Sequence, residues 1–215
     1  MSSAYDPPRD PPVILHRDEN LLLVNKPAGL LSVPGKGAEL ADCLLARLER
    51  DYPGTLLVHR LDRDTSGVMV FAMNRMAQRH LGLQFERRHT SKRYVARVSG
   101  IVEAEAGLLD LPLNSDWPNR PKQMVDFENG KPARTHWRVL EREAAATRVE
   151  LRPETGRSHQ LRVHMVALGH PILGDPLYAE GDAQRAGRLM LHAEGLTLRN
   201  PDGGGHLTFR AQVPF

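Results

Sequence analysis

Between two apolar runs, Leu56-Leu57-Val58 and Val68-Met69-Val70-Phe71-Ala72, the chain carries the polar nonapeptide His59-Arg60-Leu61-Asp62-Arg63-Asp64-Thr65-Ser66-Gly67. The flanking runs suit half-buried strands, so the charged segment is predicted to be a loop on a sheet. If the incoming strand stays extended, alternation puts Val58, Arg60 and Asp62 on one face and Leu57, His59 and Leu61 on the other. Arg60 and Asp62 then share a surface. There the carboxylate is either a catalyst or half of a salt bridge at a strand end, and because surface ion pairs are common and weak, the motif alone does not decide.

Two later segments carry further polar chemistry. Lys92-Arg93-Tyr94-Val95-Ala96-Arg97-Val98 alternates as a strand, with Tyr94, Ala96 and Val98 on one face. In Gly156-Arg157-Ser158-His159-Gln160-Leu161-Arg162-Val163-His164-Met165, Ser158 is a plausible N-cap, and Leu161, Met165 and Leu168 form an apolar stripe at i, i+4 and i+7. Arg162 is expected on the flank of that helix. Between these segments, residues 110 to 135 are rich in Pro, Asn, Asp and basic residues, and Asn129-Gly130 offers a hairpin turn signal. Such an insertion, with Trp117, Arg120 and Lys122, serves as a binding surface or as a core-covering loop.

These residues need elements to position them. Pro7-Pro8 and Pro11-Pro12 mark a flexible tail over residues 1–12, and residues 13–215 are expected to form a single domain. Leu21 to Val24 is predicted as a buried strand stopped by Lys26-Pro27-Ala28-Gly29. Helical spacing of Leu40, Leu44, Leu45 and Leu48 predicts a helix over 39–52, and a second follows over 75–87. Strands are predicted over 135–140, 147–151, 189–198 and 207–213. They succeed one another too often for a doubly wound parallel sheet. The expected architecture is α+β, a largely antiparallel or mixed sheet with two or three helices.

With 40% hydrophobic and 26% charged residues, the composition is that of a globular protein. No stretch approaches the roughly eighteen apolar residues of a membrane-spanning helix, and the N-terminus is not signal-like, so a cytoplasmic protein is expected. The single cysteine, Cys43, allows no internal disulfide and no cysteine metal cage. Of the 29 basic residues, 24 are Arg and 5 are Lys, a bias that fits a nucleic-acid partner and equally a GC-rich genome.

Taken together, the ordered motifs resemble the RluA family of pseudouridine synthases. His59-Arg60-Leu61-Asp62 with Thr65-Ser66-Gly67 is similar to the signature around that family's catalytic aspartate. Lys92-Arg93-Tyr94 resembles the motif of its active-site tyrosine, and Gly156 to His164 that of its active-site arginine. Gly169-His170-Pro171-Ile172-Leu173-Gly174-Asp175 and Leu191-His192-Ala193 follow in order. The resemblance runs from about Val13 to the C-terminus and implies the catalytic fold standing by itself, in the family's short single-domain branch. Within the signature, Arg63-Asp64 looks more like branches acting only on large-subunit rRNA.

The resemblance implies an isomerase that moves uracil from an N1 to a C5 link with its ribose, with no cofactor and no metal. It assigns Asp62 as catalytic carboxylate, with Arg162 stabilising its charge, Tyr94 stacking on the base, and Arg60 filling the space left by a flipped uridine. The implied partners are RNA loops: position 32 of the tRNA anticodon stem-loop, a 23S rRNA hairpin uridine, or both. Trp117, Arg120 and Lys122 are candidate RNA contacts. A monomer is expected.

Asp62-Arg63-Asp64-Thr65 also satisfies the D-x-D-x-T pattern of haloacid-dehalogenase-like phosphatases, although that family expects an uninterrupted apolar strand before the first aspartate and a parallel sheet. A non-catalytic RNA-binding module is the other alternative. Metal hydrolysis and serine hydrolysis lack support, since neither H-E-x-x-H nor G-x-S-x-G occurs.

Overall fold

A computed structural model describes residues 5–215. In chain order the elements are β1 (Val13–Arg17), β2 (Leu21–Lys26), α1 (Leu44–Asp51), β3 (Leu56–Leu57), β4 (Ser66–Ala72), α2 (Arg75–Glu86) and β5 (Ser91–Ser99). There follow β6 (Ala106–Asp110), β7 (Leu113–Ser115), β8 (Gln123–Val125), β9 (Arg134–Arg142), β10 (Ala146–Pro153), α3 (Gln160–Ala167), β11 (Leu191–Arg199) and β12 (His206–Arg210). The expected α+β architecture with antiparallel pairing is what the chain adopts. Among the described residues no helix is long and apolar enough to cross a membrane.

The chain divides into two compact units. One comprises the residues up to Ser91 together with Ala193–Pro214, and the other Lys92–His192 with Phe215. In the first, β2 lies antiparallel between β1 and β4, β3 also pairs with β4, and β12 pairs with β11. Leu21, Leu23, Val68, Val70 and Ala72 alternate inward and pack against Ala77 and Leu81 of α2. Every residue of β4 is buried, and this strand leads directly out of the Asp62 loop.

In the second unit the strand order is β5, β10, β9, β6, all antiparallel. Ala96, Val98, Trp137, Val149 and Leu151 form one face, covered by Leu161 and Met165 of α3, with Leu168 packed alongside. The apolar stripe expected from the sequence is therefore the docking stripe.

Three local expectations need correction. The first helix starts at Leu44, preceded by a 3-10 turn at Ala38–Leu40, because the N–H groups of Leu44 and Leu45 bond to the carbonyls of Leu31 and Ser32. Cys43, extended at φ −156°, caps it through its sulfur. Ser158 is not the cap of α3. That position falls to His159, whose φ is 52° and whose side chain makes no capping bond, while Gln160 Oε1 accepts the N–H of Arg157. The incoming strand is shorter than expected and ends at Leu57.

Residues 1–4 of the expected tail lie outside the described residues. From Tyr5 onward the segment has contacts: the Tyr5 hydroxyl donates to the Asp42 carbonyl at 2.9 Å, and Arg47 Nη1 donates to the Pro8 carbonyl at 2.8 Å.

His164, in the same motif as Arg162, is fully buried. It bonds Thr135 Oγ1 at 2.9 Å and the Leu111 carbonyl at 3.2 Å. Burial lowers its pKa below the ordinary 6.5, against the opposing pull of the Leu111 carbonyl and Asp110. A histidine depressed in the folded state leaves the unfolded chain with the greater proton affinity, so stability is lost as pH falls through the unfolded value. Melting temperature should therefore drop between about pH 7.5 and about pH 5.5. In His164→Gln part of that slope should vanish, and identical slopes in both proteins would refute the assignment.

Candidate active site

The loop between β3 and β4 is anchored residue by residue. His59 stacks on Phe85 of α2, with ring centroids 4.5 Å apart, and its Nε2 accepts the Val70 N–H at 3.1 Å. Leu61 is buried and clipped on both sides of its backbone by Ser32, whose hydroxyl donates to the Leu61 carbonyl at 2.6 Å and accepts its N–H at 3.2 Å. Arg60 is exposed and Asp62 half-buried. The predicted alternation thus survives from His59 to Asp62 although the segment is no longer a strand, because His59 and Leu61 are held inward. Val58 departs from it and packs against the core of this unit.

The backbone after Asp62 is fixed by a residue that sequence reasoning treated only as turn punctuation. Lys26 is fully buried, and its ammonium donates to the carbonyls of Pro27 (2.9 Å), Leu30 (2.6 Å) and Arg63 (2.8 Å). A buried charge costs several kcal/mol unless its donors are satisfied, and here three donors meet three acceptors. The Arg63 carbonyl also accepts the Gly29 N–H at 2.9 Å, and the Asp62 carbonyl accepts the Thr65 N–H at 3.2 Å. Gly67, at φ 117°, closes the loop where an added Cβ would lie 2.2 Å from the Ala193 carbonyl oxygen. Asp64 pairs through both oxygens with Arg63, at 2.9 and 3.2 Å.

The other sequence-predicted residues belong to the second unit. Tyr94 lies on β5 opposite Leu151 of β10, half-buried against the cluster that contains Leu161 and Met165. Arg162 is not on an exposed helix flank; its side chain is 3% exposed. Its Nε and Nη2 grip the two oxygens of the fully buried Asp175 at 2.7 and 2.6 Å. Asp175 Oδ1 also accepts the N–H groups of Leu177 and Tyr178. This bidentate geometry fixes the guanidinium plane. Asp175 closes a motif noted in the sequence, but its pairing with Arg162 was not foreseen.

The insertion is a hairpin of β7 and β8 joined through a 3-10 turn at Trp117–Asn119. Trp117 is 66% exposed, and the Arg120 guanidinium lies 3.9 Å over its ring centroid. Lys122 precedes β8, with Nζ 5.9 Å from the Tyr178 ring. The Asn129-Gly130 signal marks a different turn, built on Asp126, whose Oδ1 accepts the N–H groups of Glu128 and Asn129. That turn brings Lys131 to bridge Leu113, so the pair that forms the hairpin lies earlier in the chain. The root of the insertion covers Val163 and Ala133, as expected of a core-covering loop, and Trp117 at its tip is open to solvent.

A phosphatase would need an apolar strand in a parallel sheet ahead of Asp62, whereas β3 has two residues and runs antiparallel to β4. Among the described residues no group of three or more His, Cys, Asp or Glu side chains is arranged to hold a metal ion.

Residues 20–167 match the family model for RNA pseudouridylate synthase. The chain is similar to the dual-specificity RNA pseudouridine synthase RluA of Escherichia coli (strain K12), with 55% identity over 214 residues and 98% of each chain covered. It is also similar to RluA of Yersinia pestis, with 49% identity over 94% of this chain and 100% of that protein. Among solved structures, human RNA Pseudouridylate Synthase Domain Containing 1 superposes with a TM-score of 0.81 at 30% identity, covering 100% of this chain and 86% of its own. Human RNA Pseudouridylate Synthase Domain Containing 4 gives 0.74 at 29% identity, covering 94% and 88%. The chain therefore belongs to the RNA pseudouridylate synthase family, on its RluA side, and is an isomerase acting on RNA.

Proposed function

We propose that Asp62 is the catalytic carboxylate and that the substrates are uridines in RNA loops, at position 32 of the tRNA anticodon stem-loop and in a 23S rRNA hairpin. The dual specificity named for the bacterial relatives supports the pair of substrates. The observation that carries the assignment of Asp62 is the construction of its loop. The backbone is pinned on one side through Leu61 by Ser32, on the other through Arg63 by Lys26, and between the pins stands a half-buried carboxylate. A pinned backbone removes reorganisation from the reaction, as a catalyst's support should.

The reaction breaks the N1–C1′ bond, forms a C5–C1′ bond and releases the C5 proton, while N1 gains one. Electrons balance without an oxidant or reductant. What it requires is a carboxylate at the sugar-base junction that attacks a carbon or takes a proton, and Asp62 is assigned that work. A stacked uridine must first be flipped out, and exposed Arg60 is assigned to the space it vacates. Tyr94 is assigned to the uracil face, and Arg162, held by Asp175, to stabilising the charge of Asp62. Trp117, Arg120 and Lys122 are assigned to loop bases and phosphates. Residues 13–215 serve as one catalytic domain, working as a monomer in the cytoplasm.

Asp62→Ala should abolish tritium release from RNA labelled at uridine C5 while RNA binding largely persists; turnover at the wild-type rate in that variant would sink the assignment. RNA affinity should fall steeply as salt rises, by about 0.7 in log K per log unit of salt for each single-stranded phosphate neutralised. A flat response would exclude phosphate-led binding. Lys26→Met leaves three carbonyls without their charged donor and should cost about 3 kcal/mol of stability, with kcat falling more than KM changes. Thermal melting and tritium-release kinetics of the purified variant check both parts, and wild-type values in both would remove Lys26 from the loop's support.

A further inference from the structure

We propose that Tyr178 is a positioning residue that fastens the root of the β7–β8 hairpin to α3 and thereby fixes where Trp117 and Arg120 stand for the RNA. The proposal rests on the reading of that hairpin as an RNA-contact surface. Strands of three residues in a two-stranded ribbon are marginal by themselves, so the hairpin's placement depends on what it docks against. Part of the docking is apolar: Leu113 of β7 and Val163 of α3 are buried together with Ala133, and Val125 of β8 and the Tyr178 ring pack on them.

Apolar contact is non-directional, and the backbone bonds that tie the root elsewhere, Leu113 with Lys131 and Asp126 with Pro112, do not involve α3. The Tyr178 hydroxyl supplies direction. It accepts the N–H of Gln123, the first residue of β8, at 2.7 Å, and lies 2.8 Å from Nδ1 of His159, the cap of α3. A phenol has one proton and two lone pairs, so a single hydroxyl serves the hairpin and the helix end at once. His159 meets the Tyr178 ring edge-on, at 5.7 Å between centroids. Its φ of 52° is unusual for a residue with a Cβ, and such a conformation persists where neighbours fix it.

The same tyrosine is tied to Arg162. Asp175 Oδ1 accepts both Arg162 Nη2 and the Tyr178 N–H, and the guanidinium lies 5.0 Å from the Tyr178 ring centroid. Lys122 approaches that ring at 5.9 Å. Tyr178 therefore joins three parts that the chain supplies separately: the hairpin at 123, the helix cap at 159 and the guanidinium at 162.

Tyr178→Phe removes the one oxygen and keeps the ring. Affinity for an anticodon stem-loop RNA should fall about fivefold, the scale of one lost hydrogen bond, with kcat changed less than twofold. Hydrogen exchange at the Gln123 amide should accelerate. Combined with Trp117→Ala, the loss should be smaller than the product of the two single losses, since both act through one hairpin. Unchanged affinity, strictly multiplicative losses, or a fall in kcat alone would each overturn the proposal, as would Trp117→Ala binding RNA like the wild type. Failure of the catalytic reading shows separately, as wild-type protein that binds the RNA yet releases no tritium.

Discussion

A single buried ammonium holds the loop that carries Asp62 in place. Lys26 ends β2, and from there its three hydrogen bonds reach the carbonyls of its own turn and that of Arg63. Because the charge is fully enclosed, none of those bonds can be exchanged for water without exposing the others, so turn and loop behave as one body. The clip of Ser32 on Leu61 and the stack of His59 on Phe85 extend the same fixation backward along the loop. The backbone that carries Asp62 is thus placed through its neighbours, Leu61 on one side and Arg63 on the other.

The second unit uses a carboxylate where the first uses an ammonium. Asp175, buried without exposure, gathers two guanidinium donors and two backbone N–H groups. The pairing needs good geometry to offset desolvation, and the bidentate fork supplies it. Each unit thus contains a buried charged group with several hydrogen bonds: Lys26 fixes the backbone next to Asp62, and Asp175 fixes the guanidinium of Arg162.

How far these devices were legible depends on how local they are. The Asp62 alternation, the extent of α2 and the stripe of α3 follow from periodicity over a few residues, and each was readable. Lys26 was not, because its decisive acceptor is a backbone carbonyl 37 residues away, and every residue type carries one. Asp175 was visible as a motif member but not as the partner of Arg162, 13 residues earlier across a helix end and a turn. The cap of α3 was misplaced by one residue because the left-handed turn at His159 is set by tertiary contacts, including Tyr178, whereas Ser158 satisfied only a propensity. At Asn129-Gly130 the turn was real, but strand partnership was decided by Leu113, which pairs with Val125 on one side and bridges Lys131 on the other.

The arginine excess shows the same limit for charge. Arg47, Arg93, Arg97, Arg138, Arg152 and Arg162 all engage carboxylates of the protein itself, three of them sharing the nearly buried Glu150. Burial tends to raise the Glu150 pKa, but hydrogen bonds and charge from Arg93 and Arg152 outweigh it and hold the carboxyl below its usual range. Arg93 and Arg138 tie β5 and β9 to β10 in this way, and because all six are engaged within the protein, a count of arginines overstates what is offered to a polyanion. Arg120 is arranged otherwise, laid over the exposed Trp117 ring, which keeps an aromatic face and a positive charge side by side at the hairpin tip. Base stacking and phosphate contact need that combination in one place, so the pairing of residue types at the tip says more about RNA than the overall bias does.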